Sequence, residues 1–271
     1  MSTTLKVATL NLHNRHDRWR QRRHLVVAQF VDQLPALVSL QEISFPIGQG
    51  KWLRSQINTR LTGSARKPYQ LIQKRLHHVI HGYFEGVGIL TRLPVVAHDA
   101  INLGYDGRVA LRAIVSLPTG DSLDFVATHL HAVAHDREAR LEQVMLLTGW
   151  LAEMGRVPLQ VIAGDFNEVP DGPAIQYMKQ TYRSALEAVR GYEPLATYPT
   201  ALASRSDGWS GCLDYIFISS NIGVETACIF ANRPHPDDGS LYPSDHVGLV
   251  ATLRPGKQAP VRGDPGKGTQ H

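Results

Sequence analysis

Apolar runs in this chain close in groups that bind metals or phosphates. Val7, Ala8, Thr9 and Leu10 end in Asn11, and Leu37, Val38, Ser39 and Leu40 end in Gln41 and Glu42. Oxygen donors of this kind suit a hard cation: Mg²⁺ takes one or two carboxylates, keeps waters and shares its remaining positions with substrate phosphate. Taken singly, each has a plainer reading, Asn11 as a turn cap and Glu42 as a surface carboxylate. A third run, Val161, Ile162 and Ala163, delivers Gly164, Asp165, Phe166 and Asn167. If the strand continues, alternation puts Asp165 and Asn167 on one face, an acid to orient a nucleophile beside an amide to hold a phosphoryl oxygen. The competing reading is an Asx-rich turn. Val126, Ala127 and Thr128 lead likewise to His129, a candidate phosphate donor or a core histidine. Near the C-terminus Asp245 precedes His246. An aspartate paired with a histidine fixes its tautomer and raises its basicity, although neighbours in sequence need not face each other. Asp214 stands just ahead of the apolar stretch 215–218 and either reaches the site or caps a turn.

These positions need a scaffold of strands. Short runs rich in Val, Ile and Leu at 5–10, 36–40, 87–90, 110–117, 123–127, 159–163, 213–218 and 247–253 read as strands. Residues 17–34 and 136–154 carry helical spacing instead, with Val27, Phe30, Val31 and Leu34 on one face of the first and Leu141, Val144, Leu147 and Leu151 on one face of the second. Asp17 and Asp136 are placed to cap them. Pro118, Thr119, Gly120 and Asp121 between two strand-like runs predict a tight antiparallel hairpin, so the sheet is not purely parallel. No Pro/Gly-rich linker divides the middle, and two packed sheets flanked by helices in a single domain over 1–254 fit best. The Pro, Gly, Lys and Gln of 255–271 predict a disordered tail.

Composition narrows the class. Apolar residues at 43% and charged residues at 19% suit a chain with a sizeable buried core. A formal charge of +4 does not repel a phosphate polyanion, yet the one dense basic cluster, Arg15, Arg18, Arg20, Arg22 and Arg23, reads first as a solvated helix face. Cys212 and Cys228 are too few for a disulfide framework, lack zinc-site spacing and read as small buried residues. No apolar run approaches the roughly 20 residues of a membrane helix, and no secretory signal is visible, so the cytoplasm is the default compartment and a monomer the default state. A zinc site remains an alternative, with His129 and His131 on one strand face and His77, His78 and His81 close together.

In order, Thr9 and Asn11; Gln41 and Glu42; Gly88, Ile89, Leu90, Arg92 and Pro94; Thr128, His129 and Leu130; Gly164, Asp165, Phe166 and Asn167; Asp214, Tyr215 and Ile216; and Ser244, Asp245 and His246 resemble the endonuclease/exonuclease/phosphatase superfamily. That superfamily includes DNase I, exonuclease III and apurinic endonucleases, deadenylases, inositol-polyphosphate 5-phosphatases and neutral sphingomyelinases. The resemblance spans 5–253 and implies a four-layer α/β sandwich, two mixed sheets packed face to face with helices outside. It implies a Mg²⁺-dependent hydrolase of phosphate esters, with Mn²⁺ able to substitute. By the same resemblance Glu42 binds the ion with Asn11 nearby, Asp165 activates water, Asn167 and His129 hold phosphate, and His246 with Asp245 acts as base or transition-state stabiliser. Glu85 stands where some nuclease members carry an acid. Asp106, Gly107, Arg108 and Val109 resemble a stretch of the apurinic endonucleases, whereas 213–217 look more like the deadenylases, and Arg108 is a candidate phosphate contact. A nucleic-acid diesterase is the favoured expectation. A small-molecule or lipid-headgroup phosphatase or diesterase is the runner-up, and a non-catalytic phosphate-binding module the remote alternative.

Overall fold

A strand that is apolar on both faces must have a packed layer on each side. The computed structural model describes residues 4–14, 18–63, 67–76, 84–155, 157–203 and 209–256. In order the elements are β1 (Leu5–Asn11), α1 (Trp19–Gln33), β2 (Leu37–Gln41), α2 (Gln49–Arg60), β3 (Gln70–Arg75), β4 (Gly86–Thr91), β5 (Val95–Asn102), β6 (Val109–Ser116), β7 (Ser122–His129), α3 (Arg137–Glu153), β8 (Leu159–Asp165), α4 (Pro173–Met178), β9 (Arg183–Ser184), α5 (Ala185–Arg190), β10 (Asp214–Ile218), β11 (Ile222–Phe230) and β12 (Gly248–Pro255). They form two six-stranded sheets, ordered β11-β12-β1-β2-β4-β3 and β5-β6-β7-β8-β10-β9.

The alternation of β1 shows how the layers arise. Leu5 and Val7 join Leu37, Ile89 and Leu249 of their own sheet and Leu111, Phe125, Val161 and Ile216 of the other in the core between the sheets. Ala8 and Leu10 point the opposite way, onto Val26, Val27 and Phe30 of α1 and Leu53 and Ile57 of α2. On the second sheet Val126, Ile162 and Phe217 pack outward on Val144, Leu147 and Leu151 of α3 and Ile175 and Met178 of α4. The result is the four-layer α/β sandwich with mixed sheets. Each fully buried Leu, Ile, Val or Phe contributes roughly 1.5–3 kcal/mol, and the inter-sheet layer is the largest of the three apolar layers.

Topology brings the chemistry to one rim. β1 runs parallel to β2, while β12 pairs antiparallel with β1 and β4 with β2. The ends of β1 and β2 therefore lie beside the starts of β4 and β12. In the second sheet β7 runs parallel to β8, with β6 antiparallel to β7 and β10 to β8. The ends of β7 and β8 meet the starts of β6 and β10 in the same way. Gly164 is required there: a Cβ on it would stand 2.0 Å from the Thr128 carbonyl oxygen. Its bare backbone lets β7 and β8 pair His129 directly with Asp165.

The hairpin at 118–121 forms, closed by Leu117 N–H to Asp121 O at 2.8 Å, and Asp136 caps α3 by accepting from Ala139 N–H at 3.3 Å. Asp17 lies outside the described residues, and Arg18, with φ 60°, stands at the N-terminus of α1 instead. The expected solvated face of α1 is corrected at Arg22, which is fully buried because four backbone carbonyls surround its guanidinium. Arg15 lies outside the described residues. Cys212 is buried as expected, but Cys228 is exposed, since it sits on the outermost strand of its sheet. The strand β12 continues to Pro255 and Gly256 N–H donates to Asn221 O, so the first residues of the expected tail are paired; 257–271 lie outside the described residues.

Candidate active site

The rim places Asn11, Glu42, Glu85 and His246 from the first sheet opposite Arg108, His129, Asp165, Asn167 and Asp214 from the second. The two sets meet on one oxygen. Oδ2 of Asp165 accepts from Nδ2 of Asn11 at 3.0 Å and faces Nε2 of His129 at 3.5 Å and Nε2 of His246 at 3.7 Å. The last two are ion-pair distances, longer than a formed hydrogen bond. Asp165 is almost fully buried; that burial, then the Asp214 charge, pushes its carboxyl above the ordinary range against the pull of His246 and Asn11.

Asp165 ends β8, and the strand does not continue. Its Oδ1 accepts from the Asn167 N–H at 2.8 Å, and Asn167 adopts φ 48°. The same-face alternation expected for Asp165 and Asn167 is thus replaced by an Asx turn, which still carries Asn167 to the rim. There its Nδ2 donates to the Leu130 carbonyl at 3.1 Å.

The histidines differ in protonation. His129 Nδ1 lies 2.8 Å from Nη1 of Arg108, and a guanidinium only donates, so His129 accepts there and holds its proton on Nε2, toward Asp165. Burial, reinforced by the Arg108 charge, keeps it neutral, with its pKa well below the usual value. Burial also disfavours charge on His246, but the carboxylates of Asp214 and Asp165 outweigh it and hold this imidazole well above the ordinary value. The partner of His246 corrects the sequence: Nδ1 bonds Asp214 Oδ2 at 2.8 Å, not the adjacent Asp245. Asp245 turns the other way, to His13 Nδ1 at 2.8 Å. Consecutive residues leave the backbone in divergent directions, and Asp214 is delivered from the opposite sheet by its pairing with Asp165. His13, two residues beyond Asn11, is a site residue the sequence reading missed; the pattern of a polar residue following an apolar run pointed to Asn11 alone.

Glu42, at φ 53°, lies beside Asn11, whose Nδ2 reaches its Oε1 at 3.1 Å. Solvent touches part of Glu42, yet it sits deep in the cleft; burial first, then the charges of Glu85 and Asp245, push its carboxyl up to about 7. Glu85 accepts from Asn14 Nδ2 at 3.1 Å and faces Arg108 at 3.4 Å. Arg108, the expected phosphate contact, stands at this rim buried against Glu85 and His129.

Two places could hold a cation. Asp165, Asp214 and His246 present ligand atoms within 4.8 Å of one another, the single such group among the described residues. Its Nδ1 is already bonded to Asp214, and an imidazolium between two carboxylates supplies the positive charge itself. At Glu42 burial and the charges of Glu85 and Asp245 disfavour the bare carboxylate, and its donors are oxygens, which suits a hard divalent ion better. The zinc alternative loses its pair: His131 faces Asp106 at 2.8 Å and Asp136 at 3.3 Å, away from the His129 contacts. His77, His78 and His81 lie outside the described residues. Tyr198 packs against the His246 ring with centroids 4.8 Å apart, and the Arg140 guanidinium lies over the Trp209 ring, 5.6 Å from its centroid.

The pattern of the endonuclease/exonuclease/phosphatase family matches residues 8–246. The chain belongs to that family. Its members hydrolyse phosphate esters and generally use a divalent metal. Among solved structures, the human Nocturnin catalytic domain with bound sulfate is similar at 20% identity and TM-score 0.72, covering 92% of this chain and 94% of that one. TDP2 of D. rerio complexed with single strand DNA product aligns at 16% identity and TM-score 0.73, covering 93% of this chain and 99% of that one. A family protein from Bacteroides vulgatus aligns at 19% identity and TM-score 0.71, covering 93% and 98%. At these identities the likeness is one of fold. No curated protein matches the chain. No helix among the described residues is long and apolar enough to cross a membrane.

Proposed function

We propose that this protein is a Mg²⁺-dependent phosphodiesterase that cleaves nucleic acid by in-line attack of water. The observation that carries the reading is the convergence of Asn11, His129 and His246 on one oxygen of Asp165, beside the crowded carboxylate Glu42. Asp165 orients the attacking water and accepts its proton, a role suited to a carboxyl raised toward neutral pH. His246, kept cationic by Asp214, stabilises charge developing on the phosphoryl group. His129 donates through Nε2–H, with Arg108 fixing that tautomer from behind, and Asn167 holds a phosphoryl oxygen. Glu42, with Asn11 and the charge of Glu85 nearby, would hold the ion, and Mn²⁺ would substitute for it. Bound there, the metal supplies a lowered water pKa and polarisation of the phosphoryl oxygen. Asp245 positions His13 at the edge of this acidic pocket.

Nucleic acid is favoured over a compact headgroup because, of the arginines at 15–23 and Arg108 that would read such a headgroup, Arg22 and Arg108 are committed to protein partners. The single-strand DNA product in the similar TDP2 structure supports the same choice. The test is cleavage of single-stranded DNA, duplex DNA, RNA and bis-p-nitrophenyl phosphate in Mg²⁺, Mn²⁺ or EDTA. Cleavage of a nucleic acid that EDTA abolishes is expected. Hydrolysis of the chromogenic diester alone would move the substrate to a small molecule, and inertness on every diester would refute the reading.

A further inference from the structure

Two fully buried arginines occupy matching places in the two halves. Arg22 is the fourth residue of α1, which follows β1, and Arg140 is the fourth residue of α3, which follows β7. Removing a guanidinium from water is costly unless its donors are met. Both forks are met by loops of the catalytic rim. Arg22 donates to the Leu12 and Pro243 carbonyls at 2.9 Å each, to His13 O at 3.1 Å and to Asn14 O at 3.4 Å. Arg140 donates to Val133 O at 2.7 Å, Ala134 O at 2.9 Å and His131 O at 3.4 Å, and its Nε pairs with Glu168 at 3.2 Å.

Each therefore ties two loops together. Arg22 joins the loop after β1, which carries His13 and Asn14, to Pro243 just ahead of Asp245 and His246. Arg140 joins the loop after His129 to Glu168, which directly follows Asn167. Neither reaches the reacting atoms. We propose that Arg22 and Arg140 are equivalent positioning residues, one for each half, and that each locks the pair of rim loops presenting its half's functional groups. A guanidinium has five donors in a fixed fork, whereas an ammonium is a point charge on a flexible stem. Lysine at either place keeps the charge and loses the lock.

The experiment is site-resolved amide exchange on Arg22→Lys and Arg140→Lys. In Arg140→Lys, exchange at Leu130, His131 and Asn167 is expected to accelerate about tenfold or more while Leu12 and His13 hold near wild type. Arg22→Lys is expected to give the reverse. Equal acceleration in both halves, reaching core strand residues such as Phe125, would show two merely structural residues and overturn the proposal, as would no change. Should Arg140→Lys fail to fold, Glu168→Gln removes the pair's carboxylate and should loosen the same second-half amides. The kinetic counterpart rests on the phosphodiesterase reading: Arg140→Lys lowers kcat with KM little changed, and Arg22→Lys lowers kcat through the His246 loop and also raises the Mg²⁺ concentration for half activity. An inactive wild type would count against that reading and leave the exchange result to decide the clamps.

Discussion

The two sides of the cleft use similar residues in opposite ways. Around Asp165 acid and base alternate, from Asp214 through His246 to Asp165 and on to His129 and Arg108, so each proton has a defined place. Around Glu42 there is no such chain: burial first, then the charges of Glu85 and Asp245, raise its pKa, while Glu85 and Asp245 keep partners of their own in Arg108 and His13. An alternating chain is organised to move and hold protons. A deep carboxyl without a cationic partner of its own is organised to take a cation, because an added positive charge offsets the cost of its charged form.

Breaking the alternating side should cost most. Asp165→Asn keeps the shape and removes the charge on which three donors converge; kcat is expected to fall by roughly 10²–10⁴ in diester hydrolysis at saturating Mg²⁺. A variant retaining more than half of wild-type activity would break the comparison at its centre. Asp214→Asn comes next. It removes a charged hydrogen bond of about 1.5–3 kcal/mol from His246, hence about 10- to 10²-fold in rate. The pH at which His246 loses its proton should also fall, visible as an activity profile whose alkaline limb moves to lower pH. Asp245→Asn should be milder, below about tenfold, since it loses the His13 contact and not the His246 one. If it matched Asp214→Asn, the neighbour in sequence would be the working partner after all.

The smallest effect concerns stability. Glu42 has a folded pKa of about 7 against an ordinary value of 4.5, so the metal-free folded state binds the extra proton more tightly than the unfolded chain. The stability from that group is fully present below about pH 4.5 and is lost as pH rises through about 7. A bound divalent ion offsets the loss. Mg²⁺ should therefore raise Tm by a few degrees at pH 8 and by less at pH 5, measured against EDTA. An equal shift at both pH values would separate metal binding from Glu42.

Much of this was legible in the sequence, because buried strands announce themselves as apolar runs and rim residues as the polar groups that close them. Asn11, Glu42, His129 and Asp165 all stand where a run ends. The strands β3, β5 and β11 were not visible, since all three have exposed positions and mixed sequences. Pairings across the sheets were also beyond a linear reading. Nothing local tells that Asp214 reaches His246 while Asp245 turns to His13; that follows from the antiparallel register of β10 with β8. The burial of Arg22 escaped for the same reason, its acceptors being carbonyls that carry no side-chain signature.

The most direct measurement is a Mg²⁺ titration of diester hydrolysis by wild type, Glu42→Gln and Asp165→Asn. The expected result is a rightward shift for Glu42→Gln, with activity recovering as Mg²⁺ rises, and for Asp165→Asn a low plateau that no concentration of Mg²⁺ restores. Recovery of Asp165→Asn by excess Mg²⁺, with Glu42→Gln unaffected at limiting metal, would place the ion on the alternating side and contradict the division of the cleft drawn here.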